Sequence, residues 1–451
     1  MTSRTCFLLL AVAAVYYAAC VWRLSFVIDG TRYFVLADDV MITMCYGRTL
    51  ADVGQLAWYP GGPGGGYSSI VWVWLSALAW SLWPVVSRTA LLIQAFNGVI
   101  YVLTVFYAIR AADLLGGNRA ALIAGVLTIA CWPLTIMLAQ GWEFSMVALS
   151  LVAGYYYWLK RRWWLVAAAA ALIGLTRFPL PTNTMALKLT GYPWLLMVTR
   201  GAWMEATDLL NRGLPLLFLI LLAMRKGRNR ERWLPLLVFL AAILLSVAVG
   251  GDAWHGLLEG SRIVISTLPL LAVLGSLAVV EVTRNFSTLF KVMVVALVCL
   301  TWASPTRTLL IDKPWEYSRY QKWVSMARWL NNHTERGTKI VVYAAGIIPW
   351  VAQNRTYVDM LGMNDATVAR MQAHRAPKGT NPLTYFAPGH NKYSIAWTVE
   401  RFDPDVILHV WGMEEQAEEL EAVRLNYHTV SMTNDTRNNV WVRNDTKKVR
   451  Q

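Results

Sequence analysis

The chain has 451 residues, of which 56% are hydrophobic and only 15% are charged. This composition is typical of a membrane protein with several spans and unlike that of a soluble enzyme. The net charge of +14 does not indicate a nucleic-acid partner, because many arginines and lysines lie in short loops beside apolar segments. There they set orientation and attract anionic membrane lipid, while the 23 tryptophans and 19 tyrosines suit the membrane interfaces.

The first apolar segment, residues 6–22, is predicted to be an uncleaved helix. Residues 19–22 form a poor cleavage site for a signal peptidase, which argues against a signal peptide. The positive-inside rule places Arg4 in the cytoplasm and therefore the following loop, residues 23–67, outside. Of the five cysteines only Cys45 lies in a loop, so the sequence indicates neither a disulfide framework nor a Cys-based zinc site.

The loop 23–67 carries two adjacent acids, Asp38 and Asp39, just before a helix-like run, and a glycine-rich segment follows at residues 61–66. Acids at a lipid–water boundary are costly unless they are hydrated, paired or used in function. The plain alternative is a solvated loop in which Asp caps a helix. The glycine-rich segment is not a P-loop, because no Gly-Lys-Ser/Thr follows it.

Further membrane spans are predicted at residues 68–86, 89–109, 120–138, 144–159, 163–176, 213–224, 233–249, 263–282 and 291–303. Basic clusters mark the cytoplasmic loops, so Glu143, residues 177–212 and residues 250–262 are expected outside. Three segments lie between the first external loop and Glu143, although an even number is required. Either one of them is not a simple crossing or a further segment is present. In the loop 177–212, residues 192–197 predict an interfacial or re-entrant helix, with packing inside the bundle as the alternative.

After residue 303 the composition changes to dense polar and charged residues. The β-rich runs are 339–343, 405–411, 427–432 and 440–443, and helix-like runs cover 314–332 and 413–424. Alternating strands and helices predict a small external α/β domain. The expected fold class is a mainly α polytopic membrane protein, with a transmembrane catalytic domain at 1–303 and an extracytoplasmic α/β domain at 304–451.

The candidate functional residues lie in loops predicted on the external side of the membrane. They are Asp38, Asp39, Arg48, Glu143, Arg177, Lys188, Asp252, His255 and Arg262. A carboxylate can act as general base on an acceptor hydroxyl, and arginine or lysine can bind an anionic leaving group such as phosphate. A transporter would instead be expected to carry charged residues or broken helices near the membrane midplane, where the predicted helices have almost none.

Each candidate also has a plainer interpretation. Arg177 and Arg262 lie at helix ends, where arginine often extends to the lipid headgroups. Glu143 could be a first-turn acid that the helix dipole favours. His255 has no second histidine nearby, so a solvated loop residue is favoured over a metal ligand.

Several motifs, in the same order along nearly the whole chain, resemble those of GT-C glycosyltransferases of the arabinofuranosyltransferase-like branch. This branch includes a cell-wall terminal arabinofuranosyltransferase and pilin arabinosyltransferases. The matching residues are Ala37-Asp38-Asp39, Tyr46-Gly47-Arg48, Gly66-Tyr67-Ser68-Ser69, Gly141-Trp142-Glu143, Leu175-Thr176-Arg177, Asn183-Thr184 with Lys188, Gly250-Gly251-Asp252 with Arg262, and Val358-Asp359 through Asn364-Asp365. Two departures are Phe178-Pro179, where the family has Pro-Glu, and Ala253 inserted before Trp254.

The resemblance implies a bacterial inner-membrane enzyme with about 9–11 transmembrane helices and an active site facing the exterior. Such enzymes transfer a sugar, here D-arabinofuranose in preference to a hexose, from a polyprenyl-phosphate donor to an acceptor hydroxyl. The acceptor would be a cell-envelope glycan or a pilin-type protein. The resemblance assigns no definite cofactor and no metal ligands, and it leaves a divalent cation open. The alternative function is a transporter or flippase of a polyprenyl-linked sugar, or a non-catalytic envelope scaffold.

The same resemblance assigns roles to residues. Asp38 is the expected catalytic carboxylate, and Asp39 would orient it or the acceptor; two adjacent desolvated acids also raise each other's proton affinity. The residues expected at the donor phosphate are Arg48, Lys188, Arg262 and Arg177. Those expected at the sugar or the acceptor are Glu143, Asp252, His255 and Tyr67.

Overall fold

The computed structural model describes residues 1–177, 183–210, 216–217, 219–221, 230–253, 260–284, 287–288, 292–293, 315–408, 420–432 and 439–450. Contacts divide the chain into two compact units. The first unit comprises Met1–Ser25, Gln94–Phe178 and Trp194–Pro314, and the second comprises Phe26–Ile93, Pro179–Pro193 and Trp315–Gln451. The mainly helical fold with a C-terminal sheet agrees with the predicted class.

The helices, in chain order, are α1 (Ser3–Leu24), α2 (Asp38–Val53), α3 (Ile70–Leu82), α4 (Thr89–Ala130), α5 (Trp132–Ala139), α6 (Phe144–Leu159), α7 (Trp163–Arg177), α8 (Asn183–Leu189), α9 (Trp194–Asp208), α10 (Arg230–Ala248), α11 (Arg262–Ile265), α12 (Leu268–Val282), α13 (Trp315–His333), α14 (Ile347–Val351), α15 (Pro382–Tyr385), α16 (Ile395–Phe402) and α17 (Glu421–Asn426). The strands are β1 (Phe26–Ile28), β2 (Thr31–Tyr33), β3 (Lys339–Val342), β4 (Thr356–Asp359), β5 (Val406–Ile407), β6 (Tyr427–Ser431) and β7 (Asn439–Arg443).

Apolar helices form most of the first unit. By length and composition, three described helices can cross a membrane: Ser3–Leu24, Thr89–Ala130 and Glu231–Ala248. Shorter apolar helices are Ile70–Leu82, Phe144–Leu159, Trp163–Thr176 and Leu268–Val282. They coincide with predicted spans, whereas the predicted spans 213–224 and 291–303 fall largely outside the described residues.

The long helix α4 is an antiparallel hairpin. Gly117 breaks it with a φ of 68° and a ψ of −165°, values that glycine adopts without the cost of a Cβ. The Tyr101 hydroxyl donates to the carbonyl of Ile129 at 3.0 Å. A Cβ at Gly125 would lie 3.0 Å from the Ile109 side chain, so the two halves touch closely. The hairpin supplies the predicted span 89–109 and the first part of the predicted span 120–138, which continues into α5.

The helix α3 explains the odd number of predicted spans. It packs alongside α2 in the second unit, where a Cβ at Gly47 would lie 2.5 Å from the Cβ of Ser76. Trp80 donates its indole N–H to Asp52 at 2.7 Å, so α3 runs in the same direction as α2. Its 13 residues rise about 20 Å, less than the roughly 30 Å of a hydrocarbon core. Its packing along α2 therefore makes α3 the segment that departs most from a simple crossing.

The second unit contains a five-stranded sheet with the order β4-β3-β5-β7-β6. Strands β4, β3 and β5 are parallel, whereas β7 is antiparallel to β5 and to β6. Four of these strands lie in the predicted β-rich runs, and β4 was not predicted. The carboxyl ends of neighbouring parallel strands meet at one edge of a sheet, where sites in α/β folds are commonly formed. The predicted boundary between residues 303 and 304 lies outside the described residues.

Candidate active site

The carboxylate of Asp38 is held by backbone amides of the C-terminal region. Asp38 is the first residue of α2 and is only 5% exposed. Its carboxylate accepts the N–H of Ile347 at 2.7 Å and that of Gly346 at 3.2 Å, in the segment that follows β3. A Cβ at Gly346 would collide with the Asp38 carbonyl oxygen, so this close approach requires glycine.

Burial raises the pKa of Asp38 to about 7. The N–H groups of Ile347 and Gly346 oppose this effect, while the nearby carboxyls of Asp39 and Asp359 add to it. A carboxyl with a pKa near neutrality is present in both its protonated and ionised forms at physiological pH. Such a group is suited to accept and return a proton during a reaction.

A second buried acid, Asp359, ends the neighbouring strand β4. One oxygen of its carboxylate accepts the backbone N–H of Leu361 at 2.9 Å. The other accepts both the backbone N–H of Asn364 at 2.7 Å and its side-chain amide at 3.1 Å. Burial raises the pKa of Asp359 to about 6, although these hydrogen bonds favour its ionised form. In the sequence, Asp359 and Asn364 belonged to a matching motif but were given no role.

Tyr46 connects α2, the glycine-rich segment and the turn after β4. Its hydroxyl donates to the side-chain oxygen of Asn364 at 2.8 Å and accepts the N–H of Gly66 at 2.9 Å. A Cβ at Gly66 would collide with the Asn364 side chain. Tyr67, predicted at the sugar or acceptor, packs its ring edge-on against Tyr46 at a centroid distance of 5.3 Å. Tyr46, to which the sequence analysis gave no role, thus fixes the segment that contains Tyr67.

Arg48 has a structural use that the sequence did not indicate. It is 7% exposed and donates to the carbonyls of Trp350 at 2.9 Å and Pro349 at 3.1 Å. Its guanidinium also lies 5.0 Å from the centroid of the Trp350 ring, a cation–π contact. These contacts join α2 to α14 and give Arg48 a packing role. Lys188, in the last turn of α8, is partly buried, with its aliphatic stem beside Gly389.

In the first unit, two predicted ligand-binding residues contact each other. The Arg262 guanidinium donates to the two carboxylate oxygens of Asp252 at 2.6 and 2.8 Å, and the Arg262 backbone N–H donates at 3.1 Å. The guanidinium lies 4.0 Å from the centroid of the Trp142 ring. Glu143 follows Trp142 immediately before α6 and is 3% exposed. The carboxylate–arginine pair neutralises much of the charge that Arg262 was expected to offer to phosphate.

The helix α9 contributes buried polar residues that the sequence did not single out. Arg200 is 3% exposed and donates to the carbonyl of Gly250. Glu205, also 3% exposed, accepts from the Ser246 hydroxyl at 2.5 Å. Glu205 lies on the face of α9 that packs against α10, and Arg200 contacts the segment that follows α10. The available signal was the spacing of Glu205 with Gly201, because residues four apart share one face of a helix.

The segment predicted as interfacial or re-entrant begins α9 at Trp194, after Pro193. A Cβ at Gly201 would lie 2.6 Å from the carbonyl oxygen of Val247 in α10. One face of α9, beyond the predicted segment 192–197, is therefore packed inside the first unit. Trp194 itself is 74% exposed, so the start of the helix remains an apolar surface.

Two predicted residues have no described side chain. Arg177 is the last residue of α7, and His255 lies outside the described residues. The remaining candidates fall into two sets. Asp38, Asp39, Arg48, Tyr67 and Lys188 belong to the second unit, and Glu143, Asp252 and Arg262 to the first. Among the described residues, no group of three or more His, Cys, Asp or Glu side chains could hold a metal ion.

Comparison with solved structures indicates the type of fold. ArnT from Cupriavidus metallidurans bound to undecaprenyl phosphate aligns with a TM-score of 0.55 at 13% identity, over 100% of both chains. The apo state of the same ArnT aligns with a TM-score of 0.52 at 13% identity, over 96% of this chain and 97% of that one. The chain therefore has the same overall fold as this ArnT.

Three other comparison results add less. Residues 313–446 match a family described as a domain of unknown function (DUF8728). No curated protein matches the sequence. The archaeal oligosaccharyltransferase AglB from Archaeoglobus fulgidus aligns with a TM-score of 0.49 at 11% identity, over 98% of this chain and 74% of that one.

Proposed function

We propose that this protein is a membrane glycosyltransferase that moves a sugar from a polyprenyl-phosphate donor to an acceptor hydroxyl. Asp38 accepts the proton of the hydroxyl as its oxygen attacks the anomeric carbon. The bond from that carbon to the phosphate oxygen breaks, and polyprenyl phosphate leaves with the bonding electrons. No nucleotide sugar takes part in this step.

The observation that carries the proposal is the burial of the Asp38 carboxyl together with its raised pKa. With a pKa near 7, a general base combines sufficient ionisation with sufficient basicity. A carboxylate has about four acceptor positions, and the backbone amides of Gly346 and Ile347 occupy only part of them. A remaining position can accept a hydrogen bond from the acceptor hydroxyl, and Asp39 lies beside it to orient that group.

The donor class is supported by the fold, because the ArnT structure with this fold is bound to undecaprenyl phosphate. Lys188 and Arg177 are our candidates for the donor phosphate, since Arg48 is used in packing. Arg262 would act together with Asp252, which already fixes its guanidinium. Glu143 is proposed to bind sugar hydroxyls.

The resemblance of the sequence motifs supports D-arabinofuranose as the sugar and a cell-envelope glycan or pilin-type protein as the acceptor. The same resemblance supports an active site on the outer face of the bacterial inner membrane. The assignment of the sugar can be tested with donors that differ only in the sugar.

The test compares wild type with Asp38→Asn in detergent, using synthetic polyprenyl-phosphoryl arabinofuranose and measuring released polyprenyl phosphate. Asparagine keeps an oxygen that can accept the Ile347 N–H, so the variant should fold. Removal of a general base is expected to slow transfer by about 10²- to 10⁴-fold.

Asp29→Asn is the matched control, because Asp29 lies in the same loop but its side chain is 74% exposed. Full transfer by Asp38→Asn would refute the catalytic assignment. Movement of the donor across a vesicle bilayer without release of polyprenyl phosphate would favour the transporter instead.

A further inference from the structure

A cavity of about 540 Å³ lies at one end of the helical bundle in the first unit. Three parts of the chain meet there: the turn of the α4 hairpin around Gly116, the start of α10 and the end of α12. It lies at the opposite end of α12 from the Asp252–Arg262 pair, and the 15 residues of α12 rise about 20 Å. None of the residues in the proposed transfer reaction lines this cavity.

The charged residues that line the cavity are predominantly basic. They are Arg119, Arg232, Arg284 and Glu281. Arg232 donates to Glu281 at 2.9 Å, which fixes one guanidinium and offsets one positive charge. The four side chains together carry a net charge of +2, and Arg119 and Arg284 are exposed.

The rest of the wall is apolar and comes from the membrane helices. Leu122 of the α4 hairpin faces the cavity, as do Leu277 and Val280 of α12. An apolar wall offers no hydrogen bonds to a free phosphate ion. It can, however, pack against an acyl chain. Basic groups above an apolar wall, at the ends of membrane helices, match the two parts of a phospholipid.

We propose that this cavity binds one anionic phospholipid of the surrounding membrane. Its phosphate lies among Arg119, Arg232 and Arg284, since guanidinium groups bind phosphate oxygens in pairs. Its acyl chain lies along Leu122 and Leu277. Basic pockets between transmembrane helices are known to select anionic headgroups.

The proposal is tested on the full chain by native mass spectrometry. The protein is released from mixed micelles that contain phosphatidylglycerol and phosphatidylcholine with identical acyl chains. Wild type should retain one phosphatidylglycerol. In the double variant Arg119→Gln/Arg284→Gln the preference for phosphatidylglycerol should fall roughly thirtyfold, because each basic residue contributes to headgroup attraction.

The matched control is Arg110→Gln/Arg161→Gln, which removes the same charge outside the cavity. The side chains of Arg110 and Arg161 are 42% and 64% exposed. Equal loss of phosphatidylglycerol in both double variants would mean that the arginines only attract lipid through total charge, which overturns the proposal. Wild type without a preference for phosphatidylglycerol overturns it as well.

A third arm distinguishes the lipid from its phosphate alone. Inorganic phosphate is added at increasing concentration to wild type that carries phosphatidylglycerol. Retention of the lipid supports binding through both the headgroup and the acyl chain. Displacement at low millimolar phosphate would show an anion site without lipid specificity and would refute the proposal.

Discussion

Replacing Gly346 by alanine should shift the pH dependence of the proposed sugar transfer. The φ of Gly346 is −103°, so alanine is allowed by the backbone. Its Cβ, however, would collide with the Asp38 carbonyl oxygen and lie 2.7 Å from the N atom of Ile42. The segment 346–347 must move away from α2, and its N–H groups must retreat from the Asp38 carboxylate.

The size of the shift follows from those two hydrogen bonds. They stabilise the ionised form of Asp38 and so oppose the rise in its pKa to about 7. A hydrogen bond to a charged group is worth about 1.5–3 kcal/mol, and one pKa unit corresponds to about 1.4 kcal/mol. Weakening one bond should raise the pKa of Asp38 by about one unit or more. At pH 7 the ionised fraction would then fall from about one half to about one tenth.

The assay is the rate of polyprenyl phosphate release between pH 5.5 and pH 9. A base must be ionised, so the rate should rise with pH around a midpoint near 7 in wild type and at least about one unit higher in Gly346→Ala. Gly64→Ala is the control, because a Cβ there would meet only the Leu56 carbonyl oxygen at 3.4 Å. The same midpoint in both variants would refute the link between the amides and the Asp38 carboxyl.

Three further changes test the packing around the proposed site. Tyr46→Phe removes the partner of the Gly66 N–H and should lower the free energy of unfolding by about 1–3 kcal/mol, measured by denaturant titration in detergent; unchanged stability would contradict the described network. Arg262→Ala removes the guanidinium that pairs with the buried Asp252 carboxylate and should lower the free energy of unfolding by about 3–5 kcal/mol. Arg262→Lys should lower it less, and equal losses in the two variants would show that the paired guanidinium contacts add nothing. Gly201→Leu pushes α9 away from the Val247 backbone and should lower the free energy of unfolding by about 1–3 kcal/mol, seen as a lower melting temperature. A melting temperature equal to that of wild type would disprove this close packing.

Local structure could be read from the sequence because it depends on local patterns. The β-rich run 339–343 predicted β3, and the long apolar runs predicted the helices. Strand β4 was not found, because Thr356–Asp359 is a short run with no flanking glycine or proline signal. The odd number of predicted spans before Glu143 indicated that the count of simple crossings was wrong. Only the packing on α2 pointed to α3 as the segment responsible.

The partners of the candidate residues could not be predicted, since no periodicity encodes contacts between distant segments. Asp38 was recognised as a costly acid, yet its amide donor Ile347 is 309 residues away in the chain. Arg48 was taken for a phosphate ligand because an arginine in an external loop offers a charge. Its guanidinium donates to the backbone carbonyls of Pro349 and Trp350. Every residue has such a carbonyl, so the sequence does not indicate which ones Arg48 contacts.

If Asp38 is the base, as proposed, its contacts also give the C-terminal region a part in the chemistry. The amides that lower the pKa of Asp38 come from the segment after β3, and Asn364, which positions Tyr46, comes from the turn after β4. Both segments follow neighbouring parallel strands, so the sheet fixes their spacing. A sequence that kept α2 but lacked these two segments would leave the buried carboxyl of Asp38 without its donors. Desolvation would then act unopposed, and Asp38 would be protonated and inactive as a base at neutral pH.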